Sequence, residues 1–206
     1  MAKTAESLHT KGAQTRQAIL DAAIVRFGRE GYRATSVADV ARDASVGGTV
    51  PYAYFADKEA LFLAALDEDA AAVIEEGVSS AFENPALTDW RQTLLFTLVG
   101  AVDGHPLARR LLAGLEPEVT ARVIEIPALT ELRKACAEKL RAEQLSGAVR
   151  DDIDPVAVAN GIVAIMLSLL MSVVQLGTEA AGPYSLDVAA VFAAALDRTP
   201  PPRSST

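Results

Sequence analysis

SVADVARDASVGGTVPYAYFADK, residues 36–58, decides how the chain is read. Val37, Val40, Ala41 and Ala44 recur at helical spacing, and Tyr52, Tyr54 and Phe55 form a second group. Between them stand Gly47, Gly48 and Pro51, three of the poorest helix formers. A short helix, a tight turn and another short helix fit this pattern. If the second of these starts at Thr49 or Val50, Pro51 falls in its first turn, where the missing N–H costs little. Ser36 with Asp39 three residues on gives the earlier helix a capping-box start.

Upstream, Ile19, Ala22, Ala23, Arg26 and Phe27 mark one face of a helix from about Gln14 to Glu30, with Gly31 at its end. Downstream, Asp57 followed by Lys58-Glu59-Ala60-Leu61 opens a long helix to about Gly77. Three short helices with a tight turn between the second and third predict a helix-turn-helix, whose third helix enters the major groove. The free N–H groups of that helix favour phosphate, Tyr52 and Tyr54 offer hydroxyls, and Lys58 adds a charge.

The overall charge of −8 argues against a nucleic-acid partner only until the chain is divided. Residues 1–60 hold 8 basic and 7 acidic side chains, and the remainder carries a balance of −9. The acidic character belongs to the C-terminal part, so the N-terminal part can approach a polyanion. Half of the chain is apolar, without runs of alternating β-branched residues, which predicts an all-α fold. Cys136 is the only cysteine, so no internal disulfide forms, and the start of the chain lacks an apolar signal core; both suit a cytoplasmic protein.

Residues 14–66 resemble the TetR family of transcriptional regulators. The resemblance is carried by Ala18-Ile19-Leu20-Asp21-Ala22-Ala23, Phe27, Gly31-Tyr32, Thr35-Ser36-Val37, Asp39-Val40-Ala41, Ala44, Val46, Tyr52, Tyr54-Phe55 and Lys58-Glu59-Ala60-Leu61, without gaps. It implies a DNA-binding domain over 1–60 and a ligand-binding and dimerisation domain over 61–197, while the composition of RTPPPRSST predicts a disordered tail over 198–206. By family position Gly48, Thr49, Val50 and Ala53 face base edges, while Thr35, Ser36, Tyr52, Tyr54 and Lys58 contact phosphate. The chain departs from the family at Ser45, usually Gly, at Gly47, usually Ser, and at Thr49, Val50 and Pro51. None of the four base-facing residues makes a bidentate bond to a base, which predicts readout through thymine methyls, DNA shape and phosphates.

Beyond residue 66 the chain resembles the family only in helical layout. Asp89 opens a nearly all-apolar helix over 90–102, Pro106 and Pro117 sit at further helix starts, and Pro127 interrupts the next stretch, which resumes and stops at Gly147. PVAVANGIVAIMLSLLMSVVQL, residues 155–176, is uncharged and long enough to span a bilayer. Its Asn160, Ser168, Ser172 and Gln175, and its acidic flanks, predict a protein-covered helix and no membrane partner. With VAAVFAAAL at 188–196, in a last helix capped by Ser185, it predicts a homodimer interface.

Trp90, Thr93 and Thr97 share a helical face that Met166 or Met171 can oppose, and these three with Met166 are the candidate ligand-binding residues. The competing reading has the threonine hydroxyls bonded to their own backbone and Trp90 in the core. His105 reads as a turn residue. No phosphate loop, HExxH or GxSxG pattern is present, and Asp151, Asp152 and Asp154 read as a solvated helix approach, so neither an enzyme, a cofactor nor a metal is predicted. The sequence thus predicts a ligand-responsive regulator, a repressor in preference to an activator, binding palindromic operator DNA as a homodimer and released by a small, largely apolar effector. A helical adaptor is the alternative, and an enzyme the last.

Overall fold

The computed structural model describes residues 2–82, 89–119 and 124–196. It is helical, with no strand among the described residues. Helix α1 runs Ala2–Glu30, so it starts well before its apolar stripe does. Residues 2–13 contain no proline, and the single Gly12 costs only about 1 kcal/mol of helix propensity. Ile19, Leu20, Ala23 and Phe27 are fully buried on one face of α1.

Helix α2, Val37–Asp43, carries the capping box expected of it. The Asp39 N–H donates to Ser36 Oγ at 3.1 Å, and the Ser36 N–H donates to Asp39 Oδ2 at 3.3 Å. Arg26 grips the far end of α2 through Asp43, with Nε–Oδ2 at 2.5 Å and Nη2–Oδ1 at 2.8 Å.

The third element differs from expectation. It is a single 3-10 turn, Val50–Ala53, and not an α-helix. Pro51 near its start lacks an N–H, and the Tyr54 and Phe55 N–H groups both close on the Pro51 carbonyl, at 3.0 and 2.9 Å. The chain has turned by Phe55, which is buried with Val37, Val40 and Phe62.

Helix α3, Lys58–Phe82, begins on Asp57, whose Oδ1 accepts the Ala60 N–H at 2.8 Å. It passes through Gly77 instead of ending there. A Cβ on Gly77 would lie 2.7 Å from Leu98 Cδ2, so this glycine serves the close crossing of α3 with α4.

The body continues with α4 (Trp90–Ala101), α5 (Pro106–Leu112), α6 (Pro127–Ser146), α7 (Pro155–Leu176) and α8 (Thr178–Leu196). Gly147, left-handed at φ 77°, ends α6, and Asp154 Oδ1 caps α7 by accepting the Val156 N–H at 2.9 Å. Residue 185 lies inside α8 and not at its start, which corrects the expected helix boundary: α8 starts at Thr178 and carries Pro183 within it. Helix α3 packs against α1, α4, α5 and α6, while α7 packs against α4, α5, α6 and α8. Helix α7 is long and apolar enough to cross a membrane, yet Ala159, Ile162, Val163, Met166, Leu169 and Leu170 are buried within the body. The tail expected over 198–206 lies outside the described residues.

Candidate DNA interface and ligand cavity

The turn after α2 sets the presentation of the 50–53 segment. Ser45 takes a left-handed φ of 57°, and the Val46 N–H donates to the Ala41 carbonyl at 2.9 Å. From there Gly47, Gly48 and Thr49 run exposed into the 3-10 turn. Pro51 is buried and Val50 half-buried, which anchors the turn, while Tyr52 (55% exposed) and Ala53 face outward. Neither Gly47 nor Gly48 has a positive φ, and a Cβ on Gly48 would meet nothing within 4 Å. The fold itself therefore does not require glycine at 48.

Tyr54 is half-buried, and Lys58 Nζ sits 4.4 Å over the Tyr32 ring, a cation–π contact. Tyr32 packs edge-on against Phe62, with centroids 5.0 Å apart. Ser36 is exposed at the head of α2, but the Thr35 side chain is turned inward, 2% exposed, and its buried Oγ1 has no hydrogen-bond partner among the described residues. Thr35 thus departs from the expected surface position: its side chain is buried at the head of α2, whose Val37 and Val40 are buried too. Ser36, Gly48, Thr49, Tyr52 and Ala53 are exposed, Val50 and Tyr54 are half-buried, and Lys58 stands at the head of α3.

An apolar cavity of about 60 Å³ lies in the body, walled by Ala70, Val73, Leu98, Leu111, Leu129 and Met166 among others, from α3 to α7. Of the four expected ligand residues only Met166 borders it. Helix α4 reaches the cavity through Leu98, and the three expected residues on it lie off the cavity wall. The Thr93 hydroxyl donates to the Asp89 carbonyl at 3.1 Å, Thr97 is half-buried off the cavity wall, and Trp90 is 3% exposed against Phe82. Trp90 Nε1 donates to Glu143 Oε1 at 2.8 Å, and Arg91 Nη2 donates to the other oxygen of the same carboxylate. Cys136 is buried close by, and burial pushes its thiol up to about 12, with Arg91 opposing.

Sequence reasoning missed the junction of α5 with the rest. Asp69, 4% exposed, accepts the Leu107 and Ala108 N–H groups at 2.9 and 2.8 Å, capping α5 from α3. The same carboxylate holds His105 Nδ1 at 2.8 Å, and Glu76 holds Nε2 at 3.1 Å. The signal was present: an aspartate on the buried stripe of Leu66, Ala70 and Val73 needs partners that only another element supplies. On its other side α5 meets α1. A Cβ on Gly28 would lie 2.6 Å from Pro106 Cβ, and Glu116 accepts both the Tyr32 N–H at 3.1 Å and Arg110 Nε at 2.6 Å.

An exposed turn on a small helical head, joined to an all-helical body with an apolar cavity, defines the class: a helix-turn-helix regulator. Within that class, residues 19–65 match the model of the bacterial regulatory proteins of the tetR family, and the whole chain shares the fold of solved TetR-family regulators. A TetR-family transcriptional regulator from Pectobacterium atrosepticum is 20% identical, with 93% of this chain and 98% of that chain covered and a TM-score of 0.65. A TetR transcriptional regulator from Chloroflexus aurantiacus is 22% identical over 92% and 100% of the two chains, with a TM-score of 0.68. A TetR-family regulator from Cytophaga hutchinsonii is 17% identical over 92% and 98%, again with a TM-score of 0.68. No curated protein matches the chain.

Proposed function

We propose that the protein is a cytoplasmic, ligand-responsive repressor that binds a palindromic operator as a homodimer and is released by a small effector held in its body. It acts without a catalytic step. The carrying observation is the open 47–53 surface: a glycine that the fold does not need, between an exposed helix cap at Ser36 and an exposed Tyr52. Such a surface suits close approach of a phosphate backbone and base edges. Ser36, Tyr52, Tyr54 and Lys58 take phosphates, while Gly48, Thr49, Val50 and Ala53 meet the bases. Thr35 contributes through its backbone and the placement of α2.

Helix α5 supports the coupling. Ala108, Leu111 and Leu112 wall the cavity, and Pro106 and Arg110 of the same helix bear on α1. An effector that displaces α5 tilts the head, changes the spacing of the two reading turns in the dimer and lowers operator affinity. Selection of bound DNA from a random pool tests this. The expected product is a palindrome with half-sites about one helical turn, roughly 34 Å, apart. Recovery of no enriched sequence rejects the reading. The single-turn form of residues 50–53 favours the helical adaptor, and the same selection separates the two.

A further inference from the structure

The apolar cavity does not stand alone. Met166 also borders a narrow space of about 10 Å³, whose other walls include Arg91, Leu95 and Phe192. Arg91 and Phe192 in turn border a third space of about 240 Å³, which Asp89 and Glu143 also line. The three spaces share walls in series: a wide polar mouth, a constriction at Arg91 and Met166, and an aliphatic end. In the mouth, Trp90 and Arg91 both donate to Glu143, and Asp89 accepts the Arg91 N–H at 3.0 Å. Arg91 Nε is buried and has no hydrogen-bond partner among the described residues. A buried donor left unpaired is costly, and a bound acceptor relieves it.

We propose that the three spaces form one channel for an uncharged amphiphile, with a hydrogen-bond acceptor on Arg91 Nε and an unbranched alkyl chain passing Met166 into the aliphatic end. This rests on the effector reading above and names the ligand class of that site. The head is neutral because the mouth sets one guanidinium against two carboxylates, Asp89 and Glu143, so a carboxylate head meets net repulsion. The buried unpaired group here, among the described residues, is a donor, so a cationic head without an acceptor leaves it unsatisfied. The tail is a thin chain because the end space, at about 60 Å³, is well under the roughly 150 Å³ that accommodates a benzene ring. Methionine, flexible and unbranched, is suited to line a constriction that a chain must pass.

Calorimetry on the full chain with butanamide, hexanamide and octanamide, beside octanoate and octyltrimethylammonium, tests the proposal. Affinity for the amides should rise about three- to fourfold per methylene, and both charged probes should bind at least about tenfold more weakly than octanamide. Arg91→Lys keeps a cation for Glu143 but removes the Nε donor, and should weaken octanamide about tenfold. Met166→Phe should flatten the dependence on chain length. Equal or tighter binding of octanoate or the ammonium, no binding of any amide, or an unchanged length dependence in Met166→Phe overturns the proposal. Operator affinity measured in parallel keeps the two readings apart. An amide that binds through Arg91 without releasing DNA leaves the channel standing and rejects the effector role. DNA release by a ligand indifferent to Arg91 and Met166 does the reverse.

Discussion

Ser45 is the one non-glycine residue with a positive φ among the described residues, and it sits in the turn that aims the reading segment. Its Cβ opposes the left-handed conformation, a strain of about 1–2 kcal/mol that glycine does not bear. Glycine also gives up more conformational entropy on folding, so the two effects partly cancel. Ser45→Gly should therefore raise stability by about 0.5–1 kcal/mol in chemical denaturation, without a change in the denaturant slope. His105 is the second residue with a sharp consequence. Burial pushes its imidazolium down, but the hydrogen bonds to Asp69 and Glu76 outweigh burial and raise its pKa above the ordinary value. The folded state thus binds the proton more tightly than the unfolded chain. That stabilisation is full below about pH 6.5 and fades as pH rises through the folded pKa. Thermal melts between about pH 6 and pH 8.5 should show the wild-type Tm falling more steeply than that of His105→Gln. Parallel pH slopes for the two would reject the ion-pair account.

At the scale of elements, the 47–53 segment invites a test that separates folding from reading. Gly48→Ala adds a methyl group into open space and removes backbone freedom from the unfolded chain, so stability should hold or rise by up to about 1 kcal/mol. Tyr52→Ala changes an exposed side chain and should shift stability by no more than about 0.5 kcal/mol. Both should weaken operator binding by about 1 kcal/mol or more in a titration at fixed salt. Full operator affinity in both variants would move the interface elsewhere. Local signals made α2, α6 and α7 readable: the Ser36–Asp39 box, Gly147 and Asp154-Pro155 act within their own helices. Elements that depend on distant partners were harder to read. Gly77 looks like a stop until Leu98 crosses it, and Ser185 looks like the start of a last helix that in fact begins at Thr178. The turn at 50–53 was located by its residues, but its 3-10 form follows from Phe55 turning back into the core so soon after Pro51. In the cavity only Met166 was foreseen, because helical periodicity groups Trp90 with Thr93 and Thr97 and does not say which side faces the space.

For the whole molecule, the reading turns act together only if two copies are held at a fixed spacing, and the surface of α7 and α8 is where the proposed pairing falls. Ala157, Asn160, Gly161, Ala164 and Ser168 lie exposed along one side of α7, small enough for another helix to come close. Beside them on α8, Tyr184 and Val191 share a face and are 57% and 58% exposed, an apolar cost that a monomer would carry in water. A pair of such helices from each chain makes a four-helix contact, for which a stable dimer needs about 800 Å² from each partner. Ala164→Glu is the decisive change. Its Cβ already faces outward in the single chain, so the charge is tolerated there, but in the dimer it would be buried near its symmetry mate on an already acidic body. Light scattering at micromolar concentration should give the mass of two chains for the wild type and of one for Ala164→Glu, with the helical signal in circular dichroism retained. The variant's Tm should also become independent of protein concentration, since mass action no longer stabilises it. Its operator binding should fall sharply, because a lone head has only one half-site to grip. A wild-type monomer under these conditions, or an Ala164→Glu dimer, would place the pairing surface away from α7.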